Sequence, residues 1–161
     1  MLITVVVLAG LAVFGVAPAR AQAQVTQFET RASDGTALRG DVHLRRSGKP
    51  LATVLQLSPY WNTIQGPGEL QAGNEAVKPF LDAGFAVALV NLRGTGESDG
   101  CFQWGSRTDW SDASQIVQAL AAAPWSNGKV GMYGTSYEGW SQYMAMAQPP
   151  RALKRRCRSA A

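Results

Sequence analysis

The most restrictive feature of the sequence is a short apolar run that leads into a Gly-Thr-Ser corner and then a helix-compatible segment. Residues 130–133 have the apolar character of a buried strand in a parallel sheet, and residues 137–147 have the composition of a helix. A sharp strand-to-helix turn with a serine at the corner is the nucleophile-elbow arrangement. We therefore expect Ser136 at the carboxyl edge of a sheet, with the helix amino end facing charge that develops on a bound carbonyl oxygen.

The corner by itself leaves a second interpretation open. The common elbow pattern is Gly-x-Ser-x-Gly, whereas here Glu138 stands at the second glycine position and Gly139 follows it. Serine and threonine are also favoured helix caps, so Ser136 is either a nucleophile or part of an ordinary capping turn. The order of the other segments has to decide between the two.

Residues 1–23 have the features of a secretory signal. An apolar run spans residues 2–16, and two Ala-x-Ala sites end at Ala21 and Ala23. No Lys or Arg precedes the run, and an uncleaved membrane anchor is the alternative. We favour cleavage, because the small residues follow at the expected distance, and predict a secreted or periplasmic protein without stable membrane association.

The positive charge of the chain is concentrated at its carboxyl end. The formal charge is +4, from fifteen Lys and Arg against eleven Asp and Glu. Five of the cations lie in residues 151–161 and a sixth is Arg20, which leaves nine cations against eleven acids in the rest of the chain. We therefore expect no nucleic-acid partner.

Continuous apolar runs alternate with helical patterns, which predicts parallel strands joined by crossover helices. A hairpin of two alternating strands, 25–31 and 38–44, precedes them, with a turn at Ser33-Asp34-Gly35. The remaining predicted elements are a strand at 51–57, a helix that starts after Asn74 and ends at Gly84, a strand at 85–92, a helix at 108–122, a turn at 125–128 and the elbow strand. The predicted class is α/β.

Three other features suggest chemistry, and we interpret each as structural. The loop 93–100 is rich in glycine but lacks both the dinucleotide fingerprint and the P-loop Lys-Ser/Thr, so we predict no nucleotide, other cofactor or metal. His43 is the one histidine, but it precedes Ser136, whereas the base of α/β-hydrolases follows the serine. Cys101 and Cys157 give no basis for a disulfide.

Taken in order, the segments resemble the exported serine hydrolases grouped with Xaa-Pro dipeptidyl-peptidases, cocaine esterase and α-amino-acid ester hydrolases. The elbow of that family carries glycine at the displaced position of Gly139. The matching motifs, over about residues 26–153, are Asp34-Gly35, Asp41-Val42-His43, Ser58-Pro59-Tyr60, the stretch from Asn91 to Gly100, the stretch from Trp125 to Met132, and the stretch from Gly134 to Gly139.

The resemblance implies an α/β-hydrolase fold and a role for individual residues. Ser136 is the expected nucleophile, which forms an acyl-enzyme. The backbone N–H of Tyr137 and the hydroxyl of Tyr60 are the expected oxyanion donors. Arg93 matches a loop arginine that braces the site. The implied substrate is a small ester, amide or peptide, and Glu138 matches the Tyr-Glu-Gly form of the α-amino-acid ester hydrolase branch.

The sequence departs from the family after the serine. The family places its Asp and His well beyond the nucleophile and adds a cap and a β-rich domain, whereas no His, Asp or Glu follows Glu138 here. We expect residues 24–153 to be the N-terminal part of the hydrolase domain, truncated after the elbow helix, and residues 154–161 to be an atypical basic tail from a truncated or frame-shifted gene. Alternatives are a non-catalytic exported domain that binds through a Tyr60–Trp61 pocket, and a membrane-anchored interaction module.

Overall fold

The computed structural model describes residues 23–45, 47–61 and 77–150, and the backbone of 153–156. The predicted signal up to residue 22, Asn74 and Cys157 lie outside the described residues. In chain order the elements are β1 (Ala23–Arg31), β2 (Ala37–Arg45), β3 (Leu51–Ser58), α1 (77–82), β4 (Ala86–Asn91), α2 (Arg107–Ala122), β5 (Ser126–Met132), α3 (Ser136–Ala147) and β6 (Leu153–Arg156). No helix in these ranges has the length and apolarity that crossing a membrane requires.

The strands form one mixed sheet in the order β1-β2-β4-β3-β5-β6. The hairpin β1–β2 is antiparallel and joins β4 in antiparallel register, whereas β4, β3, β5 and β6 run parallel to one another. The expected α/β architecture, with a hairpin at the edge of a parallel sheet, is therefore confirmed.

The central strands are continuous apolar runs because helices cover both faces of the sheet at this point. Successive side chains of a strand point to opposite faces, and those of β4 do so here. Ala88 and Val90 belong to the main core with α2 and α3, whereas Val87 and Leu89 pack with Val77 of α1.

Strand β5 begins earlier than the sequence predicts. A turn was expected at 125–128, yet Ser126 already pairs with Leu51 of β3. Turn-like contacts are present inside the strand, since the N–H of Gly128 donates to the Ser126 hydroxyl at 3.2 Å and Gly128 has φ of 79°. The register then shifts before Thr53. The turn signal at this point marks an irregularity within the strand instead of its start.

The sequence prediction that the fold stops after the elbow helix is incomplete. Residues Leu153–Arg156 form β6, which pairs in parallel with Val130–Met132 of β5. The prediction depended on finding an apolar run, but strand pairing is made by backbone groups and tolerates basic side chains at a sheet edge. The predicted boundary between residues 153 and 154 lies within this strand.

Candidate active site

Ser136 lies where β5 turns into α3, in a conformation that side chains rarely adopt. Its φ is 51°, and it is the one non-glycine residue of the described chain with a positive φ. Thr135 is the N-cap residue of α3, but its side chain makes no capping hydrogen bond. The corner is therefore not an ordinary capping turn. Ser136 is exposed and lies at a strained strand-to-helix turn.

The corner is held on both sides by backbone and buried side-chain contacts. The N–H of Tyr133 donates to the carbonyl oxygen of Leu55 at 3.1 Å, which joins the end of β5 to β3. The buried amide of Gln142 donates to the Gly134 carbonyl oxygen at 3.1 Å. These bonds fix the backbone immediately before Ser136 against both the sheet and α3.

Position 134 requires glycine because a side chain there would meet Glu138, the residue that replaces the second glycine of the common pattern. Gly134 has φ of 149°, and a Cβ at this position would overlap the Cβ of Glu138. Gly139 has more space, since a Cβ there would lie 3.7 Å from the Gly134 carbonyl oxygen. The displaced pattern therefore depends on glycine before the serine more than on glycine after it.

Tyr60 and Tyr137 come together beside the corner. Tyr60 follows β3, whose carboxyl end is adjacent to that of β5 in the sheet. The two rings make an edge-to-face contact, with centroids 5.9 Å apart and planes at 77°. The backbone N–H of Tyr60 donates to the Ser58 hydroxyl at 3.3 Å, which fixes the start of its loop. The two residues that were expected to supply oxyanion donors are thus in contact with each other.

These rings border an open cleft of about 670 Å³, within the range of small-molecule sites. Its walls come from the loop after β3, the loop after β4 and the start of α3, and its lining residues are Pro59, Tyr60, Gly94, Thr95, Gly96, Phe102, Trp104 and Tyr137. Among them no side chain carries a charge. The cleft therefore suits the uncharged part of a substrate.

The Tyr137 hydroxyl is buried and stays protonated over the working range of pH. Burial, together with the charge of Asp109 and the Tyr60 phenol, raises the pKa of Tyr137 to about 12. Neither this hydroxyl nor one oxygen of the buried Asp109 carboxyl has a hydrogen-bond partner within the described residues. Burial likewise raises the pKa of Asp109. Tyr137 is therefore a neutral phenol, and its ring contacts those of Tyr60 and Phe102.

Arg93 braces the loop that lines the cleft and is not itself a lining residue. Its guanidinium makes a two-pronged contact with the buried Asp112 at 2.8 and 2.9 Å. It also donates to Asp34 at 2.6 Å and to the Thr36 hydroxyl at 2.6 Å. These contacts raise the pKa of Arg93, and the hydrogen bond from Arg93 holds the pKa of Asp34 well below its usual range. The expected bracing role agrees with this geometry.

Two residues considered in the sequence lie away from the cleft. His43 is buried in β2, and both β4 and β3 separate that strand from β5. Burial lowers the pKa of His43. Trp61 packs with the smaller cluster of Val77 and Leu81, and its indole N–H donates to the Gln56 carbonyl oxygen at 3.2 Å. Of the two aromatic residues of the predicted pocket, Tyr60 therefore lines this cleft, whereas Trp61 is not among its lining residues.

Sequence reasoning missed Phe102 and Trp104 as part of the site. Both follow the glycine-rich loop after β4, and the available signal was their position beyond the carboxyl end of a central strand. No group of three or more His, Cys, Asp or Glu is placed to hold a metal ion in the described ranges.

The comparison with protein families matches the chain to the X-Pro dipeptidyl-peptidase (S15) family over residues 34–161. The chain belongs to this family. Its fold is accordingly an α/β-hydrolase fold, of which the chain covers a part. The resemblance drawn from the ordered motifs is confirmed.

Individual relatives of the S15 family agree with this assignment. The chain is 29% identical to a putative Xaa-Pro dipeptidyl-peptidase of Streptomyces avermitilis over 60% of its own length and 18% of the relative. It is 29% identical to the cocaine esterase of a Rhodococcus species over 75% of its length and 21% of that enzyme. The chain thus spans about a fifth of these relatives.

A solved structure of an α-amino acid ester hydrolase is also similar. It superposes with a TM-score of 0.68 and 25% sequence identity, over 89% of this chain and 26% of that protein. Peptidases and esterases are therefore both among the proteins that share this fold and this stretch of sequence.

Proposed function

We propose that this chain carries the nucleophile and oxyanion-hole part of a serine hydrolase that cleaves small ester or amide substrates through an acyl-enzyme on Ser136. The observation that supports the proposal most is the positive φ of Ser136 at the end of a parallel strand. A strained corner of this kind exposes the serine hydroxyl above the sheet edge. A cap would not require it.

In the proposed reaction the Ser136 hydroxyl gives its proton to the base as its oxygen attacks the substrate carbonyl and forms a tetrahedral intermediate. The Tyr137 N–H and the Tyr60 hydroxyl donate hydrogen bonds to the oxyanion, and the leaving group then departs with the proton returned by the base to give the acyl-enzyme. Water subsequently hydrolyses the acyl-enzyme. The edge-to-face contact between the Tyr60 and Tyr137 rings supports these roles, because it fixes the Tyr60 side chain beside the residue that follows the nucleophile.

Ser136 also needs a base and an orienting acid. His43 lies in β2 and suits neither role. We propose that base and acid belong to the later part of the family architecture, and that the 161-residue sequence is a fragment of it.

We also propose that the protein is exported, which N-terminal sequencing of secreted material tests by a mature start at Gln22 or Gln24.

Labelling with an alkyl fluorophosphonate tests the proposal directly. We expect slow labelling at Ser136, located by peptide mapping, and none in Ser136→Ala, because the oxyanion hole accelerates the reaction even where the base and the acid are missing. Tyr60→Phe should slow labelling about 100-fold, because it removes one oxyanion donor. Trp61→Phe is the matched control, since Trp61 lies outside the cleft. If a full-length relative is labelled under the same conditions and this chain is not, it is not a hydrolase as it stands.

The second candidate is a non-catalytic exported domain that binds a small ligand. The uncharged aromatic cleft favours it independently of the nucleophile. In that case ligand binding persists without labelling, so the same experiment separates the two functions.

A further inference from the structure

Beyond the two tyrosines, a second group of aromatic rings extends from the cleft onto the outer side of α3. Trp104 lines the cleft, and its ring stacks on Trp140 with centroids 5.9 Å apart and planes at 18°. The ring of Trp140 in turn contacts that of Tyr143, with centroids 6.3 Å apart. Trp140 and Tyr143 belong to the same helix as Ser136. Ser136 and Trp140, on which Trp104 stacks, therefore both belong to α3.

Trp104 is strongly exposed although it is held in place. The residue is 69% exposed, the largest value among the exposed large apolar residues of the described chain. An exposed indole with no support would be free to change rotamer, and stacking on Trp140 restricts that motion. Part of one face of Trp104 is thus covered by Trp140, and much of the remaining ring surface is exposed among the described residues.

The backbone next to Trp104 is fixed as well. Gly105 has φ of 69°, and a Cβ there would lie 3.7 Å from Cζ2 of Trp140, so the chain passes close against that indole. Ser106 then caps α2 in a capping box, in which its hydroxyl accepts from the Asp109 N–H at 3.1 Å and its own N–H donates to the Asp109 carboxylate at 3.0 Å. Trp104 is therefore anchored by both α2 and α3.

We propose that Trp104 is a stacking platform for an aromatic ring of the substrate, and that Trp140 is the residue that positions it. The inference rests on the proposed function and adds a substrate class to it, namely esters or amides that carry a neutral aryl group. No side chain of the cleft lining carries a charge that would pair with a charged group of a ligand. A flat, uncharged ring forms an offset-stacked or edge-to-face pair with an indole held in this way.

A binding measurement in Ser136→Ala tests the platform without requiring catalysis. Ligand-observed NMR titrations compare ethyl phenylacetate with ethyl cyclohexylacetate, which have similar size but differ in aromaticity. Burial of apolar area does not favour the phenyl ester over the cyclohexyl ester, so a preference for phenyl reports ring stacking. We expect the phenyl ester to bind about two- to tenfold more tightly.

Added substitutions identify the residue responsible. Trp104→Ala should abolish the phenyl preference, and Trp104→Phe should keep part of it. Trp140→Ala should weaken it and also remove the near-ultraviolet circular dichroism signal of the stacked indoles. Phe85→Ala is the control, since Phe85 is 37% exposed and lies outside the cleft. Thermal unfolding confirms that each variant is folded.

The outcomes separate the platform from the proposed hydrolase. Equal affinities for the two esters, or a phenyl preference that survives Trp104→Ala, would overturn the platform whatever the labelling result. A phenyl preference with no fluorophosphonate labelling would refute the hydrolase and leave Trp104 as the contact of a ligand-binding site.

Discussion

At the scale of single residues, Ser136 combines a functional position with a backbone conformation that its side chain disfavours. A non-glycine residue in the left-handed region is less stable than glycine there, typically by about 1 kcal/mol. With φ of 51°, Ser136 is therefore a place where stability is lost for the sake of geometry.

We expect Ser136→Gly to unfold with a free energy about 1 kcal/mol higher than Ser136→Ala. Both variants lack the hydroxyl, so their difference reports the backbone alone. Urea denaturation at neutral pH measures it. Equal stability of the two variants would mean that the corner is not strained.

His43 makes a prediction about pH at the same scale. Burial lowers the pKa of His43 below 6.5, so the unfolded chain takes up a proton before the folded chain does. The stabilisation that results from keeping His43 neutral is fully present above about pH 6.5, and it is lost as the pH decreases towards the pKa of His43 in the folded state. We expect the melting temperature of the parent to drop between about pH 7 and 5, and that of His43→Leu to drop less. Parallel curves for the two proteins would contradict this account.

At the scale of elements, the junction of β5 and α3 depends on the pair Gly134 and Glu138. A methyl group at Gly134 would overlap the Cβ of Glu138, so Gly134→Ala should destabilise the protein by about 1–3 kcal/mol. Gly35→Ala is the control for backbone strain alone, since its φ of 86° is also positive but nothing lies within 4 Å of a Cβ there.

The double variant Gly134→Ala/Glu138→Gly distinguishes the clash from other causes. Removing the Glu138 Cβ relieves the overlap and should recover part of the stability lost in Gly134→Ala. Urea denaturation of the single and double variants measures the coupling. An additive loss in the double variant would show that the two positions are independent.

The elements were predictable from the sequence where the local pattern and the burial agree. Both β3 and β4 read as apolar runs because nearly all of their residues are buried. The start of β5 and the whole of β6 were not predicted, since they carry turn residues and basic residues and are paired through their backbones. The position of Ser136 was predictable because it depends on one continuous stretch. The cleft walls at Phe102 and Trp104 were not, because no local pattern states which rings meet Tyr137 or α3.

At the scale of the whole molecule, Arg93 joins three parts of the chain that are distant in sequence. It connects the loop after β4 to Asp112 of α2 and to Asp34 in the turn of the hairpin. The side chain of Asp112 is 2% exposed, whereas that of Asp34 is 52% exposed. The two carboxylates therefore contribute differently to stability, although both contact the same guanidinium.

We expect Asp112→Asn to lower the free energy of unfolding by about 2–4 kcal/mol, because it leaves the buried side of Arg93 without a charge partner. Asp34→Asn should have a smaller effect at neutral pH, because water replaces much of what the exposed carboxylate supplies. Urea denaturation of both variants ranks them. The reverse order would mean that the hairpin turn, and not α2, is the main anchor of the loop.

The pH dependence of unfolding in Asp34→Asn, compared with the parent protein, tests the origin of the stabilisation that Asp34 contributes. The pKa of Asp34 is lowered first by its hydrogen bond from Arg93, so the folded state keeps Asp34 ionised below the ordinary value of 3.8. The unfolded chain binds that proton first, and the stabilisation present above about pH 3.8 is lost as the pH falls. Asp34→Asn should therefore lose less stability than the parent protein on going from neutral pH to below this value.

Because Asp34, Arg93 and Thr36 connect the hairpin to the cleft loop, acid should open that connection before the parallel strands separate, and hydrogen exchange at Gly94–Gly96 should rise first.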